Sequence, residues 1–577
     1  MGKREGKIKE NNILRTELDN ERSSFIPHWR DLGDLFLPRR IRLTLSDMNK
    51  GGGRNQKIID STGTLAARTL RSGMMAGITS PARPWFRLTS PEDDSIEPGA
   101  VKSWLDVVTK KLLTIFLKSN LYNILPITYG DLGVFGIGCV FMEEDFEEVV
   151  RFYSVPLGSY WIANDSKLRV RVFIRELSMT VRQVVEKFGK VGDDGNPDWS
   201  NISGHVRNLW EGEQRETWIY VCHVIKPNDN YDSDKLESKF KKYSSIYWEK
   251  GSSGAANSSY YSELDLDKVL NEKGYNHFPV LAPRWETTGE DSYATSCPGM
   301  IALGDVKALQ TMQKRKAQAI EKMVNPPTSG PSSLRNGKPS ILPGDITYLD
   351  AREGQQGFKP VHEVDPRIGE ILIDIQDHQS RIQKAFFENL FLMLAQSDRR
   401  EITAREVDER HEEKLLGLGP VLENVNQGLL DPLVENTFNF AFEQGMFPPP
   451  PEELQGINLK VEYISIMAQA QKLAGIASLE RFITFAVNLA KETDNPTLLD
   501  KINLDQIIDI YGDRMGIDSG VIITDEDVRF IRENRAAKQQ AAEALELINQ
   551  GADTAQKLSN ADLEKDSVMK RLVEANK

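Results

Sequence analysis

Three kinds of residue pattern in this chain could carry chemistry: a glycine-rich stretch, scattered histidines and cysteines, and clusters of cations. The glycines of Gly130-Asp-Leu-Gly-Val-Phe-Gly-Ile-Gly138 are spaced G-x-x-G-x-x-G-x-G. A dinucleotide loop needs G-x-G-x-x-G between a strand and a helix, so that backbone amides can approach a pyrophosphate. No strand precedes this stretch, and its spacing points to tight packing or a turn. Lys50-Gly-Gly-Gly-Arg54 lacks the terminal Gly-Lys-Ser/Thr of a nucleoside triphosphate loop. The seven histidines occur singly. Cys222 and His223 are adjacent on an expected strand, where successive side chains point to opposite faces and cannot share a metal. His411-Glu-Glu413 has no second histidine one helical turn on, which excludes a zinc-protease helix. Serine, histidine and aspartate are too common here for a triad to be argued without geometry. No catalytic residue, metal ligand or cofactor site is expected.

The cations are more informative. Lys307, Lys314, Arg315, Lys316 and Lys322 lie in one expected helix with only Asp305 and Glu321 against them. A second expected helix carries Asp365, Glu370, Asp374, Asp377 and Glu388 against Arg367, Arg381 and Lys384. One helix is net basic and the other net acidic. Salt bridging within or between chains accounts for this, and contact of some cations with phosphate is the sharper alternative. Arg399-Arg400, just beyond the second helix, has the same two readings.

These charges need a framework. A helix from about Gly299 to Asn325 stops at Pro326-Pro327, because proline lacks the amide a helix needs. A proline- and glycine-rich insert follows, to about Asp365, and a second helix runs from Pro366 to about Leu394. Such a hairpin with a small module at its tip reads as a projection supported by neighbouring copies. Upstream, helical spacing covers Ile13 to Phe36 with a bend at Pro27, then Asp60 or Ser61 to Ala76, then Trp104 to Leu117. Trp85-Phe-Arg-Leu88 alternates like a strand. Between Val140 and Pro283 short β-favouring runs (Val149–Val155, Leu168–Ile174, Thr217–Ile225) suggest a mostly antiparallel sheet. Thr403-Ala-Arg-Glu406 is a capping box opening a long helix, to be kinked or broken at Gly417–Pro420 and Asp431-Pro432. The last fifty or so residues are helical but poor in large apolar groups, and need partner helices or stay mobile. The fold class is α+β, predominantly helical.

At 577 residues the chain exceeds one domain, and its hydrophobic and charged contents are ordinary for a globular protein. No apolar run is long enough to span a bilayer and no signal peptide is evident. Three widely separated cysteines fit a reducing compartment. The net charge of −13 argues against a DNA-gripping domain, yet an acidic wall can surround DNA without arresting it.

Several stretches together closely resemble the head-to-tail connecting (portal) proteins of short-tailed, podovirus-type bacteriophages. They are Leu70-Arg-Ser-Gly-Met-Met-Ala-Gly-Ile-Thr-Ser-Pro-Ala-Arg-Pro-Trp-Phe-Arg-Leu88, Ser119-Asn-Leu-Tyr122 and Tyr129-Gly-Asp-Leu-Gly-Val-Phe-Gly-Ile-Gly138. Phe278-Pro-Val280 to Arg284-Trp-Glu286, Tyr293 with Pro298, Ile402 to Arg410 and the Pro448 region continue the match, which covers roughly residues 10 to 470. Ala294 stands where a glycine is expected after the tyrosine.

The resemblance implies a homo-oligomeric ring, commonly of twelve subunits, at one capsid vertex of the virion, assembled in the host cytoplasm. Its regions would be a wing (1–295), a first stem helix (296–325), a clip (326–365), a second stem helix (366–394), a channel loop (395–402), a wing helix with a following strand (403–470) and a helical crown (471–577). Double-stranded DNA would pass through the channel during packaging and ejection. The clip would dock a terminase motor, which hydrolyses ATP, and later tail adaptor proteins; capsid and scaffold proteins would surround the ring. Lys314, Arg315, Lys316, Lys322, Arg399 and Arg400 become candidates for the channel, and Arg335 and Lys338 for clip contacts. No membrane is involved. A helical scaffold or internal virion protein is the alternative reading, and a nucleic-acid enzyme fails for want of a ligand-spaced cluster.

Overall fold

The computed structural model describes residues 2–43, 53–89, 99–145, 147–189, 197–250, 268–326, 328–329, 359–360, 368–397, 418–454, 460–464, 476–492, 502–503, 505–508 and 528–540. The chain divides into two compact units, Met1–Gln471 and Lys472–Lys577.

In the first unit, helices α1 (Gly2–Ser23) and α2 (Ile26–Leu35) are separate, with Pro27 in the first turn of α2, where its missing amide costs nothing. Helix α3 (Thr62–Ile78) begins where the Asp60 carboxylate accepts from the Thr62 amide at 2.8 Å. Strand β1 (Phe86–Thr89) leads to α4 (Gly99–Lys118) and α5 (Leu121–Phe135), which ends on Gly136 in the left-handed region. Strands β2 (Val140–Asp145), β3 (Val149–Ser154) and β9 (Val280–Leu281) form one antiparallel sheet in the order β3-β2-β9.

The larger sheet is β4 (Tyr160–Asn164), β5 (Val170–Thr180), β6 (Trp218–Pro227), β7 (Tyr243–Glu249) and β8 (Val269–Tyr275), antiparallel in that order. Helices α6 (Val181–Phe188) and α7 (Gly204–Glu211) cover one face of it, where Val184, Val206 and Tyr247 are buried together. Helix α1 lies against the other, where Ile8 and Leu18 meet Trp161, Cys222 and Trp248. Cys222 and His223 therefore face opposite ways, as strand alternation requires.

The hairpin follows. Helix α8 (Pro298–Val324) is capped by Cys297, whose sulfur accepts from the Met300 amide. Strands β10 (Thr328–Ser329) and β11 (Lys359–Pro360) pair antiparallel, so the insert begins and ends at one point. Helix α9 (Ile368–Ala385) returns, and α10 (Glu388–Ser397) continues after a break. The sequence predicts one helix from 366 to 394; instead the chain turns at Phe386-Phe387, with Phe387 at φ 54°. That strained turn is held by Phe386, which is fully buried, and by Phe387 stacking on Trp285.

Residues 418–425 are helical, a π-turn covers Asn426–Leu430, and α11 (Asp431–Glu443) follows. The expected break at Asp431-Pro432 is thus absorbed as a wider turn, which leaves room for a proline ring without ending the helix. Gly428 fits there because a Cβ would stand 2.9 Å from Pro283 Cα. Strand β12 (Lys460–Tyr463) pairs with β1 across more than 370 residues, reinforced by Arg87–Glu462 at 2.5 Å. The capping box at 403–406 lies outside the described residues, as do Arg335, Lys338, Arg399 and Arg400. In the second unit, α12 (Ile476–Glu492) is the longest described helix.

Candidate functional site

The motif residues of the sequence converge on one packed joint beneath the hairpin. Leu70 of α3 fills the space left by Gly133 of α5, where a Cβ would stand 2.6 Å from its Cδ2; Arg71 lies over Gly130 in the same way. Thr79 and Tyr129 share a buried hydroxyl hydrogen bond of 3.0 Å, and Trp85 Nε1 donates to the Tyr122 hydroxyl at 3.1 Å. Asp131 is paired with Arg40, whose Nε donates to it at 2.9 Å. Burial raises the Asp131 pKa above its ordinary value, and the Arg40 guanidinium only partly offsets this. The glycine-rich stretch is thus a packing element: its Gly136 (φ 80°) faces the methyl of Ala294, and Trp285 N donates to its carbonyl at 2.7 Å. Ala294 itself has no positive φ, so the expected glycine is not required, and its side chain is buried beside Gly136.

Helix α8 is set on this joint. A Cβ on Gly299 would stand 2.4 Å from the Val134 carbonyl oxygen, and the Cys297 thiol donates to that same oxygen at 3.2 Å. Helix α10 packs on α3 at Gly73, against Phe391. A polar clamp ties both hairpin helices to the start of α3. The amides of Ile59 and Asp60 donate to Gln310 Oε1 at 2.6 and 2.8 Å, and Gln313 and Gln379 each donate to the Asp60 carboxylate, at 2.9 and 3.1 Å. Burial works against the Asp60 charge, but the hydrogen bonds from Thr62, Gln313 and Gln379 outweigh it and hold the carboxyl below its ordinary pKa. Sequence reasoning read Asp60 or Ser61 as a helix cap and missed the clamp, because its glutamines are ordinary helix residues two hundred and fifty positions or more away.

Beyond the clamp the hairpin loses its cover. The buried residues of α8 (Ala302, Val306, Leu309, Gln310 among them) all precede Thr311, and Ile320, Met323 and Val324 near its end are 41%, 53% and 80% exposed. On α9, Ile375 and Ile382 are buried while Ile373 is 69% exposed. The ion pairs between the helices run opposite to their net charges: Asp305 of α8 accepts from His378 at 2.7 Å and lies 3.8 Å from Arg381 of α9. Lys307 binds Asp31 of α2 at 2.5 Å.

Lys314, Arg315 and Lys322 are exposed, Lys316 is half-buried, and none has an ion-pair partner among the described residues; the same holds for exposed Asp374. At 100° per residue, Arg315 and Lys322 share the face opposite the buried stripe, and Lys314 and Lys316 flank that stripe on its two sides. The structure thus brings the four α8 candidates onto the outer half of α8, three of them exposed and Lys316 half-buried. It does not describe the other four. Among the described residues, no group of three or more histidine, cysteine, aspartate or glutamate side chains could hold a metal. No described helix is long and apolar enough to cross a membrane.

The sequence matches the family described as bacteriophage head to tail connecting protein over residues 9–523. It is 46% identical over 559 residues to the portal protein of Salmonella phage epsilon15, covering 97% of this chain and 96% of that one. The probable portal protein of Bordetella phage BPP-1 is 42% identical over 554 residues, covering 96% and 95%.

Proposed function

The chain belongs to the bacteriophage head-to-tail connecting protein family, and on that footing we propose that its copies close into a ring, the α8–α9 hairpins side by side around a channel for double-stranded DNA. The observation that carries this reading is the contrast along α8. Its base is buried and clamped, whereas its outer half carries exposed Met323 and Val324 and four cations without partners among the described residues. A projecting half-helix of that kind is stabilised by a neighbour, and apolar area removed from water contributes about 25 cal/mol per Å².

The chain's part is structural: conduit, valve and assembly nucleus at the capsid vertex of the virion. Residues 326–365 would be the clip that meets the terminase motor and then the tail proteins, and the β10–β11 pairing supports a compact attachment for it. The first 295 residues would form the wing, and 471–577 the crown. Passage of DNA requires weak contact. Each cation neutralising a phosphate adds salt-dependent affinity, so a ring repeating a strong site in every copy would hold the polymer. Net charge −13 per chain with a few cations centres the duplex without arresting it. Arg315 and Lys322, on the outer face, are assigned to the DNA. Lys314 and Lys316, on the flanks, are assigned to the joins between copies, with Asp374 as an available counter-charge.

Charge reversal tests this. Lys314→Glu with Lys316→Glu should weaken ring assembly in native mass spectrometry, and adding Asp374→Lys should restore part of it. Arg315→Glu with Lys322→Glu should leave rings intact and change DNA retention in filled particles. If the second pair abolished rings and the first did not, the assignment of faces would be reversed.

A further inference from the structure

Helix α1 crosses the larger sheet, and its polar contacts reach four of the five strands. Lys7 pairs with Glu272 of β8 at 2.6 Å, Glu10 with Lys226 of β6 at 2.8 Å, and Arg15 with Glu176 of β5 at 2.5 Å. At β4, Trp161 Nε1 donates to Asp19 at 2.8 Å. Arg22 donates to the carbonyls of Gly158 and Tyr160 at 2.6 and 3.0 Å and lies 4.2 Å over the Trp161 ring.

The two sides of this contact do not match. The sheet offers an apolar strip of Ile174, Cys222, Val224, Ile246 and Trp248, each at most 3% exposed. The facing stripe of α1 reads Ile8, Asn11, Leu14, Arg15, Leu18, Arg22, so three of its six positions are polar. Six of the ten buried side-chain nitrogen and oxygen atoms without a protein hydrogen-bond partner among the described residues belong to Asn11, Asn12, Arg15, Arg22 and Trp248. Asn11 is 1% exposed and neither end of its amide is paired. Beside it a groove of about 90 Å³ opens between helix and sheet, lined by Lys7, Glu10, Asn11, Lys226, Ser244 and Glu272. A helix covering such a strip for stability alone would present apolar side chains throughout.

The fit is also uneven along the helix. The C-terminal turn is pinned by Asp19 and Arg22, whereas the part before Asp19 rests on Ile8, Leu14 and Leu18, three ion pairs of which two are partly exposed, and an unsatisfied asparagine. We infer that the part of α1 before Asp19 is a releasable cover, hinged at Asp19–Arg22 and held shut by ion pairs, which on lifting bares the apolar strip around Cys222, Ile246 and Trp248. Because partly exposed ion pairs are screened by salt, ionic strength sets its opening.

Cys222 reports the state of the cover. In the closed form burial pushes its thiol up to about 12, where it is inert, and exposure would return it to ordinary reactivity. Cys139 and Cys297 are buried in the main core away from α1 and serve as internal controls. The experiment is N-ethylmaleimide labelling of the full-length protein under native conditions, read peptide by peptide, between about 0.05 and 1 M NaCl. The inference expects Cys222 labelling to rise about tenfold with salt while Cys139 and Cys297 stay unlabelled. Lys7→Ala should speed Cys222 labelling at low salt, and Asn11→Leu, which matches the helix to the strip, should slow it severalfold at every salt. Labelling of all three cysteines together, protection of Cys222 throughout, or indifference to Asn11→Leu would each overturn it.

Discussion

The joint between Leu70 and Gly133 gives a test whose sign reverses with background. Both residues lie in stretches that resemble the family's motifs, on α3 and α5, and Leu70 is fully buried. A Cβ at position 133 would stand 2.6 Å from Leu70 Cδ2 but 3.5 Å or more from its other nearest atoms, so the conflict is with one methyl group. In the native background Gly133→Ala gains about 1 kcal/mol of helix propensity. It also overpacks a buried site at a cost of about 1–3 kcal/mol, for a net loss of about 1 kcal/mol. Leu70→Ala alone should cost about 2–5 kcal/mol through lost burial and the cavity left behind. In that background the obstructing methyl is gone, and Gly133→Ala should stabilise by about 1–2 kcal/mol, from propensity and from the methyl it adds to the cavity. The coupling energy is then about 2–3 kcal/mol. Because a chain of two compact units need not unfold in one step, the readout is hydrogen exchange of α3 and α5 amides. If the two substitutions were additive within about 0.5 kcal/mol, the claim that these motifs exist to fit one another would fail.

Three further outcomes follow from the same geometry. The Asp60 carboxyl is held below its ordinary value, so its stabilisation of the hairpin clamp is fully present above about pH 4 and is lost as pH falls through that depressed pKa; exchange of α8 and α9 amides should rise in that window, and Asp60→Asn should abolish the step. Arg40→Met strands a buried carboxylate and should destabilise by about 3–5 kcal/mol, whereas Arg40→Met with Asp131→Leu should recover most of that, as measured by the same local exchange at α5. Gly136→Ala combines a left-handed φ of 80° with a contact of 2.7 Å to Ala294, and should cost about 2 kcal/mol or more, seen as lowered thermal stability and soluble yield.

Elements whose signals are local were legible in the sequence. Proline stops and apolar periodicity place α8 within a residue or two of its expected ends, and short β-favouring runs locate β3, β6 and the first part of β5. The packing reading of Gly130–Gly138 also holds, because the spacing of its glycines was wrong for a phosphate loop and each now faces a side chain or a turn. Long-range features were not legible. The pairing of β1 with β12 joins strands on either side of the whole hairpin, and nothing in either strand names its partner. The turn at Phe386-Phe387 sits in an unbroken apolar helical pattern; tertiary burial of Phe386 and the stack on Trp285 overrule local propensity. The charge asymmetry of the two hairpin helices was visible, but their cross-helix pairs use the minority charge on each, Asp305 with His378 and Arg381. Lys307 pairs with Asp31 of α2, which leaves Lys314, Arg315, Lys316 and Lys322 of α8 without an ion-pair partner among the described residues.

The account rests on the uncovered outer half of the hairpin being completed by neighbouring copies around a channel. Electron microscopy of the purified full-length protein, reconstructed far enough to trace α8 and α9, tests this most directly. The expected result is a closed ring in which adjacent hairpins contact one another through Met323, Val324 and the flanking Lys314 and Lys316, with Arg315 and Lys322 on the channel side. A monomeric particle, or a ring whose hairpins stand apart on the outer rim with no axial channel, would contradict it.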